Sequence, residues 1–125
     1  MQTPYTILHC LQVSTKRSSR FDPGSLLLLD LPLVVYMTEI GHGSDVSRVE
    51  TTATYDHSSR EFILNSPAPS STKFWIGALA KTANMAVVFA QLLVNDTNVG
   101  VHVFLVQIRD YDTHKPLPGI IIGDC

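Results

Sequence analysis

Charged side chains are scarce in this sequence of 125 residues. Asp, Glu, Lys and Arg make up 16% of it, against about 25% in ordinary domains. The 11 acidic residues outnumber the 9 Lys and Arg, the formal net charge is -2, and no positive excess favours a nucleic-acid partner. With so few charges, the chain is either unusually buried or has faces that another part of a protein covers.

Long apolar runs and cysteines are few as well. Residues 26–35 are mostly apolar but are interrupted by Asp30 and Pro32, and the stretch is far shorter than the roughly 20 residues that span a bilayer. We interpret it as a strand, a short helix or sequence with no settled fold. Cys10 and Cys125 lie near opposite ends without a clear secretory signal, which favours reduced thiols.

The sequence after Tyr36 has the pattern of a β protein, and its length allows one domain at most. Val- and Thr-rich segments alternate with turn residues, and no helix-period segment of useful length interrupts them. The wholly apolar segment 85–94 is compatible with a buried helix, but its Val-rich centre and the turn at 95–98 favour a strand. The predicted strands are residues 46–55, 61–65, 85–94, 99–108 and 119–123. We expect an antiparallel barrel or sandwich.

One loop, residues 36–45, is the candidate binding segment. Its glycines allow positive φ and close approach of the backbone to a ligand, and its Thr and Ser hydroxyls offer hydrogen bonds. Glu39 and Asp45 have the chemistry of catalytic bases, but carboxylates in such loops more often accept amide hydrogen bonds. A metal site formed by Glu39, His42 and Asp45 lacks a fourth ligand at sensible spacing. Alone, the loop is better explained as a turn.

Several segments together resemble the acyl-CoA oxidase family, relatives of the acyl-CoA dehydrogenases. The loop reads Met-Thr-Glu-x-Gly-His-Gly-Ser, and later segments read Glu-Thr-Thr-Ala-Thr-Tyr-Asp, Glu-Phe-Ile-Leu-Asn-Ser-Pro, Lys-x-Trp-x-Gly and Thr-His-Lys-Pro-Leu-Pro-Gly-Ile. Several unrelated motifs in order are far more specific than any one of them. The matching segments are residues 37–44, 50–56, 61–67, 73–77 and 113–120.

The resemblance implies an all-β fold: the antiparallel β-barrel of the family's middle domain over residues 36–125, truncated at its C-terminal end. Residues 1–35 would be an unrelated, irregular leader that is poorly ordered. Thr38 is expected to contact FAD through its hydroxyl and its amide, and Gly77 to lie near the reactive edge of the flavin. Trp75 is expected to contact the cofactor, to be core, or both. Ser44 matches the residue that touches the acyl-CoA pantetheine.

The implied reaction is FAD-dependent oxidation of acyl-CoA to trans-2-enoyl-CoA with formation of hydrogen peroxide, in fatty-acid β-oxidation. The family's catalytic base is a glutamate of a C-terminal helical domain that this sequence lacks, so no residue here is assigned that role. The alternative is a catalytically inactive truncated isoform that acts as a binding module. Kinship implies a peroxisomal location, but the chain has no Ser-Lys-Leu-type ending, which leaves a cytoplasmic location open.

The implied partners are the acyl-CoA substrate and either a second copy of the chain or the missing helical domains. Neither nucleic acid nor a membrane is expected as a partner.

Gly77 generates a prediction about dioxygen. A residue without a side chain leaves room beside the flavin, which gives dioxygen a route to the reduced ring. Gly77→Thr in a reconstituted acyl-CoA oxidase carrying this segment should therefore slow reoxidation of the reduced flavin, as followed by its absorbance after mixing with dioxygen. Unchanged reoxidation would count against this role.

Overall fold

The computed structural model describes residues 9–13, 16–18, 33–74 and 82–124, and the regular structure there is almost entirely β. Two short 3-10 helices, Val46–Arg48 and Pro69–Ser71, interrupt the strands. None of the helices in these ranges is long and apolar enough to cross a membrane. The strands are β1 (His9–Val13), β2 (Lys16–Ser18), β3 (Leu33–Tyr36), β4 (Thr52–Asp56), β5 (Glu61–Asn65), β6 (Lys73–Phe74), β7 (Met85–Val94), β8 (Thr97–Gln107) and β9 (Ile120–Asp124).

The central strand is β7, the apolar segment that was predicted as a strand. It pairs with β8 in a long antiparallel hairpin whose two turn residues, Asn95 and Asp96, both have positive φ. Such a turn matches the twist of the two strands. The other edge of β7 is shared: β3 runs parallel to its first half, and β4 runs parallel to its second half. The predicted strands at 85–94, 99–108 and 119–123 are confirmed within two residues.

The strands form two sheets rather than the closed antiparallel barrel that we expected. The larger sheet has the order β2-β5-β4-β7-β3 with β8 on the other side of β7, and the smaller has the order β6-β1-β9. The larger sheet is mixed because β3 and β4 both run parallel to β7. It is also open within the described residues, since β2 and β8 each pair with one neighbour. The all-β class is correct, but the barrel and its purely antiparallel pairing are not confirmed.

Two further expectations differ from the structure. The strand predicted over residues 46–55 begins only at Thr52, because the side chain of Asp45 accepts the Ser47 N–H and starts a 3-10 turn over Val46–Arg48. The leader, expected to be irregular, contains β1, β2 and β3. Strand β1 pairs with β6 and β9, and β2 extends the β4–β5 hairpin.

The core lies on one face of the large sheet. Alternate residues of β7, Ala86, Val88 and Ala90, are fully buried, as the two-residue period of a strand requires. They pack with residues of β4, β5, β8 and β9 and of the stretches next to β7 and β8, and these residues are mostly β-branched or small. The buried cluster is Ala53, Leu64, Ala83, Ala86, Val88, Ala90, Val106, Ile108 and Ile120.

Leu64 and Ile108 are the largest apolar side chains of this core that are fully buried. Truncating Leu64 leaves a cavity, so Leu64→Ala should lower the free energy of unfolding by about 2–5 kcal/mol, measured by urea denaturation. Val103, which is 56% exposed on β8, provides the matched control: Val103→Ala should change stability by only about 0.5 kcal/mol. Equal losses in the two variants would contradict the assignment of the core.

Candidate functional site

The glycine-rich loop closes on itself between Glu39 and Gly43. The Glu39 N–H donates to the Gly43 carbonyl at 3.0 Å, and the Gly43 N–H donates back to the Glu39 carbonyl at 2.9 Å. Gly43 has φ +62°, a backbone conformation that residues other than glycine rarely adopt. The loop is therefore a defined turn with a fixed backbone path.

The loop also pairs with the chain that leads into β6. The Ile40 N–H donates to the Thr72 carbonyl at 3.1 Å, the Gly41 N–H to the Ser70 carbonyl at 2.8 Å, and the Phe74 N–H to the Thr38 carbonyl at 3.2 Å. Two of the motifs that carried the resemblance, the loop and the segment that begins at Lys73, are thus hydrogen-bonded neighbours.

Gly41 is needed where the two chains meet. A Cβ at this position would lie 3.0 Å from the Cβ of Ser70 and 3.3 Å from its carbonyl oxygen. The absence of a side chain at Gly41 therefore allows a close approach of the protein to its own chain, which differs from the expected approach to a ligand.

A buried carboxylate lies at the centre of this junction. Glu39 is 0% exposed, and its two oxygens accept five hydrogen bonds. Oε1 accepts from the Lys73 ammonium at 2.7 Å, the Thr51 hydroxyl at 2.6 Å and the Thr51 N–H at 3.1 Å. Oε2 accepts from the Glu50 N–H at 2.7 Å and from His42 Nε2 at 2.8 Å. The carboxylate thus joins the loop to the start of β4 and to β6.

Lys73 is the counter-charge. Its side chain is 1% exposed, and its ammonium donates to the Phe89 carbonyl on β7 at 2.8 Å as well as to Glu39. A lysine is rarely buried to this extent unless it is paired. The pair therefore connects the glycine-rich loop to the central strand through β6.

The surroundings shift the pKa of both Glu39 and Lys73. Burial by itself raises the pKa of Glu39, but the hydrogen bonds from Lys73, Thr51 and the Glu50 N–H, together with the Lys73 charge, bring it below the usual 4.5. Burial lowers the pKa of Lys73 from the usual 10.5, and the hydrogen bond and charge of Glu39 offset part of that effect. Glu39 is therefore ionised at neutral pH.

His42 completes the cluster with one ring nitrogen unused. Its side chain is 6% exposed, and because an ionised carboxylate only accepts, Nε2 carries the hydrogen that Glu39 receives. The other nitrogen, Nδ1, is buried and has no hydrogen-bond partner among the residues that the structure describes.

The predicted site residues fall into two groups. Thr38 is half-buried beside the cluster, and only its carbonyl forms a hydrogen bond to another described residue. Ser44 is exposed on the same loop. Trp75 and Gly77 lie outside the described residues, although they follow Phe74 directly in the sequence. The roles of all four toward cofactor and substrate stay predictions.

The carboxylates of the loop accept hydrogen bonds from backbone N–H groups. Glu39 accepts the N–H groups of Glu50 and Thr51, and Asp45 accepts the N–H of Ser47 at 3.2 Å. In residues 9–13, 16–18, 33–74 and 82–124, no group of three or more His, Cys, Asp and Glu side chains is arranged to hold a metal ion.

Sequence reasoning missed the buried pair. Glu39 and Lys73 each belong to a motif of the sequence analysis, but the ion pair between them was not inferred. The available signal was a lone lysine between a Pro- and Ser-rich connector and an aromatic residue, inside a segment that otherwise reads as strand. That pattern alone does not identify the partner, which lies 34 positions earlier (73 minus 39).

Comparisons with known proteins agree with the resemblance found in the sequence. The chain is 55% identical over 87 residues, 70% of its length, to human peroxisomal acyl-coenzyme A oxidase 1. It superposes on the crystal structure of Caenorhabditis elegans acyl-CoA oxidase-1 complexed with FAD and ATP with a TM-score of 0.76 and 40% identity over 86% of this chain. The matched segment belongs to the acyl-CoA oxidase family.

A second solved relative is acyl-CoA oxidase-2 of Caenorhabditis elegans bound with FAD, ascaroside-CoA and ATP, with a TM-score of 0.71 and 40% identity over 82% of this chain. The chain spans 13% of the length of the human relative, and 17% and 16% of the two solved chains. No protein-family model matches the sequence.

Glu39 generates a stability prediction with a defined pH dependence. Glu39→Gln leaves a buried, unpaired Lys73, so it should lower the free energy of unfolding by about 3–5 kcal/mol near neutral pH. Because the folded pKa of Glu39 lies below the unfolded 4.5, its contribution is present above the unfolded pKa and is lost as pH falls through the folded value. Urea denaturation from about pH 7 to about pH 3 should therefore show the two proteins converging in acid.

Asp45 provides the control for this experiment. It pairs with Arg48 at 3.4 Å on the surface, where solvent screens the interaction. Asp45→Asn should therefore destabilise far less than Glu39→Gln. A constant difference between the unsubstituted chain and Glu39→Gln across the whole pH range would show that ionisation of Glu39 does not stabilise the fold.

Proposed function

We propose that this chain supplies part of the FAD and acyl-CoA site of an acyl-CoA oxidase. One observation carries the proposal. The hydroxyl and N–H of Thr38 donate no hydrogen bond to any other described residue, while the Thr38 carbonyl and its neighbour Glu39 are held by β6. A half-buried residue with two donors that no other described residue engages, on a fixed backbone, suits a polar-edged, planar ligand such as the flavin ring.

Different residues would contact the cofactor and the substrate. The Thr38 hydroxyl and N–H would donate to acceptor atoms of the flavin. The exposed Ser44 hydroxyl would contact the pantetheine arm of acyl-CoA. By family resemblance, Gly77 would lie near the reactive edge of the ring, and Trp75 beside the cofactor.

The overall reaction would be oxidation of acyl-CoA to trans-2-enoyl-CoA, with dioxygen reduced to hydrogen peroxide. FAD would supply the hydride acceptor. No residue of this chain is assigned the removal of the α-proton. The two solved relatives named above support the proposal, because one is a complex with FAD and ATP and the other is bound with FAD, ascaroside-CoA and ATP.

A peroxisomal location is part of the proposal. Its support is that the curated relatives from human, rat and cow are named peroxisomal acyl-coenzyme A oxidase 1. Acyl-CoA is the proposed small-molecule partner, and a homo-oligomer or the helical domains of the family are the proposed protein partners.

Thr38 generates the prediction that tests the proposal. Adding FAD to the purified chain should shift the visible flavin absorption, and titration gives a dissociation constant. Thr38→Ala removes one hydroxyl donor, so binding should weaken by about tenfold, the effect of about one lost hydrogen bond. Thr54, exposed on β4, gives the control: Thr54→Ala should bind FAD as the unsubstituted chain does.

Two outcomes would contradict the proposal in different ways. Equal affinities for Thr38→Ala and the unsubstituted chain would remove Thr38 from the flavin site. Absence of any FAD binding, together with uptake of an apolar dye by the folded chain, would favour the alternative of an inactive isoform that acts as a binding module.

A further inference from the structure

We propose that the buried pair of Glu39 and Lys73 is a positioning device for the flavin site. It fixes the position of Thr38 relative to β6. This inference rests on the proposed function. Neither Glu39 nor Lys73 is given a contact with the cofactor, so both act through the residues beside them.

Stability alone does not account for a charged pair at this place. Two charges lose their hydration when they are buried, and apolar residues of similar volume often serve the fold equally well. Glu39 and Lys73 are 0% and 1% exposed, so both side chains lose almost all of their hydration. A buried ionic pair does provide geometry, since several directional hydrogen bonds fix the positions of the groups that it joins.

The hydrogen bonds of the pair reach four segments of the chain. Glu39 belongs to the glycine-rich loop and accepts from Glu50 and Thr51 ahead of β4. Lys73 belongs to β6 and donates to the Phe89 carbonyl on β7. The loop and β6 are thereby tied to the central strand of the large sheet, which is the most extensively paired element of the fold.

The proposed flavin contact Thr38 is adjacent to the pair and hydrogen-bonded to the residue that follows it. Thr38 precedes Glu39, and Phe74 follows Lys73; the Phe74 N–H donates to the Thr38 carbonyl at 3.2 Å. A binding site needs its contacting residues held to within a fraction of an ångström, which rigid neighbours achieve better than the contacts themselves.

The test separates positioning from stability. The double variant Glu39→Gln with Lys73→Met removes both charges and leaves neither unpaired. A milder pair of variants changes only Thr51, whose buried hydroxyl donates to Glu39 at 2.6 Å: Thr51→Val removes that donor, and Thr51→Ser retains it. Folding of each full-length chain is checked by circular dichroism and urea denaturation before FAD is added.

The expected result is a loss of FAD affinity at retained fold. The double variant and Thr51→Val should bind FAD at least about tenfold more weakly than the unsubstituted chain. Their bound flavin should absorb more like free FAD at saturation, while Thr51→Ser should restore both affinity and spectrum. Such a spectral change is not expected from a residue that only stabilises the fold.

The contrary results are distinguishable. If folded double and Thr51→Val variants bind FAD with the affinity and spectrum of the unsubstituted chain, the pair is structural only, and the inference is wrong while the proposed function stands. If the double variant does not fold, the two Thr51 variants decide in the same way. If the unsubstituted chain binds no FAD, the proposed function is wrong, and the inference is wrong with it.

Discussion

The ion pair between Glu39 and Lys73 is the interaction on which the geometry of the candidate site depends. It places a carboxylate and an ammonium in the interior and satisfies them with donors and an acceptor from two other segments, the residues ahead of β4 and strand β7. The glycine-rich loop has little apolar burial of its own, since Met37 and Ile40 are exposed. Its position therefore follows from hydrogen bonds to β6 and from this pair.

Strand β7 transmits that constraint to the rest of the fold. It receives the Lys73 ammonium at the Phe89 carbonyl, pairs with three strands and contributes three buried residues to the core. The apolar core and the polar junction thus share one element. Loosening the core is therefore expected to disturb the loop.

Local patterns in the sequence predict local structure well and the sheet topology poorly. The apolar segment ending at the Asn95–Asp96 turn identifies β7 and β8, because period and turn chemistry are properties of neighbouring residues. The parallel pairings of β3 and β4 with β7 join segments that are far apart in sequence, and no periodicity encodes them. The buried pair was missed for the same reason, because its members are distant in sequence. Lys73 is charged and would ordinarily lie at the surface, and its partners Glu39 and Phe89 belong to other segments. The motif resemblance predicted that Thr38 and Gly77 both lie at the flavin but did not identify what holds the loop and β6 together.

The most direct measurement of the central claim is nitrogen NMR of the lysine ammonium groups, with Lys73 identified by loss of its signal in Lys73→Met. A buried ammonium bonded to Glu39 and to the Phe89 carbonyl should exchange its hydrogens with water much more slowly than an exposed lysine and should remain charged at neutral pH. A Lys73 signal that exchanges as fast as those of surface lysines would contradict the buried pair and the account of the site built on it.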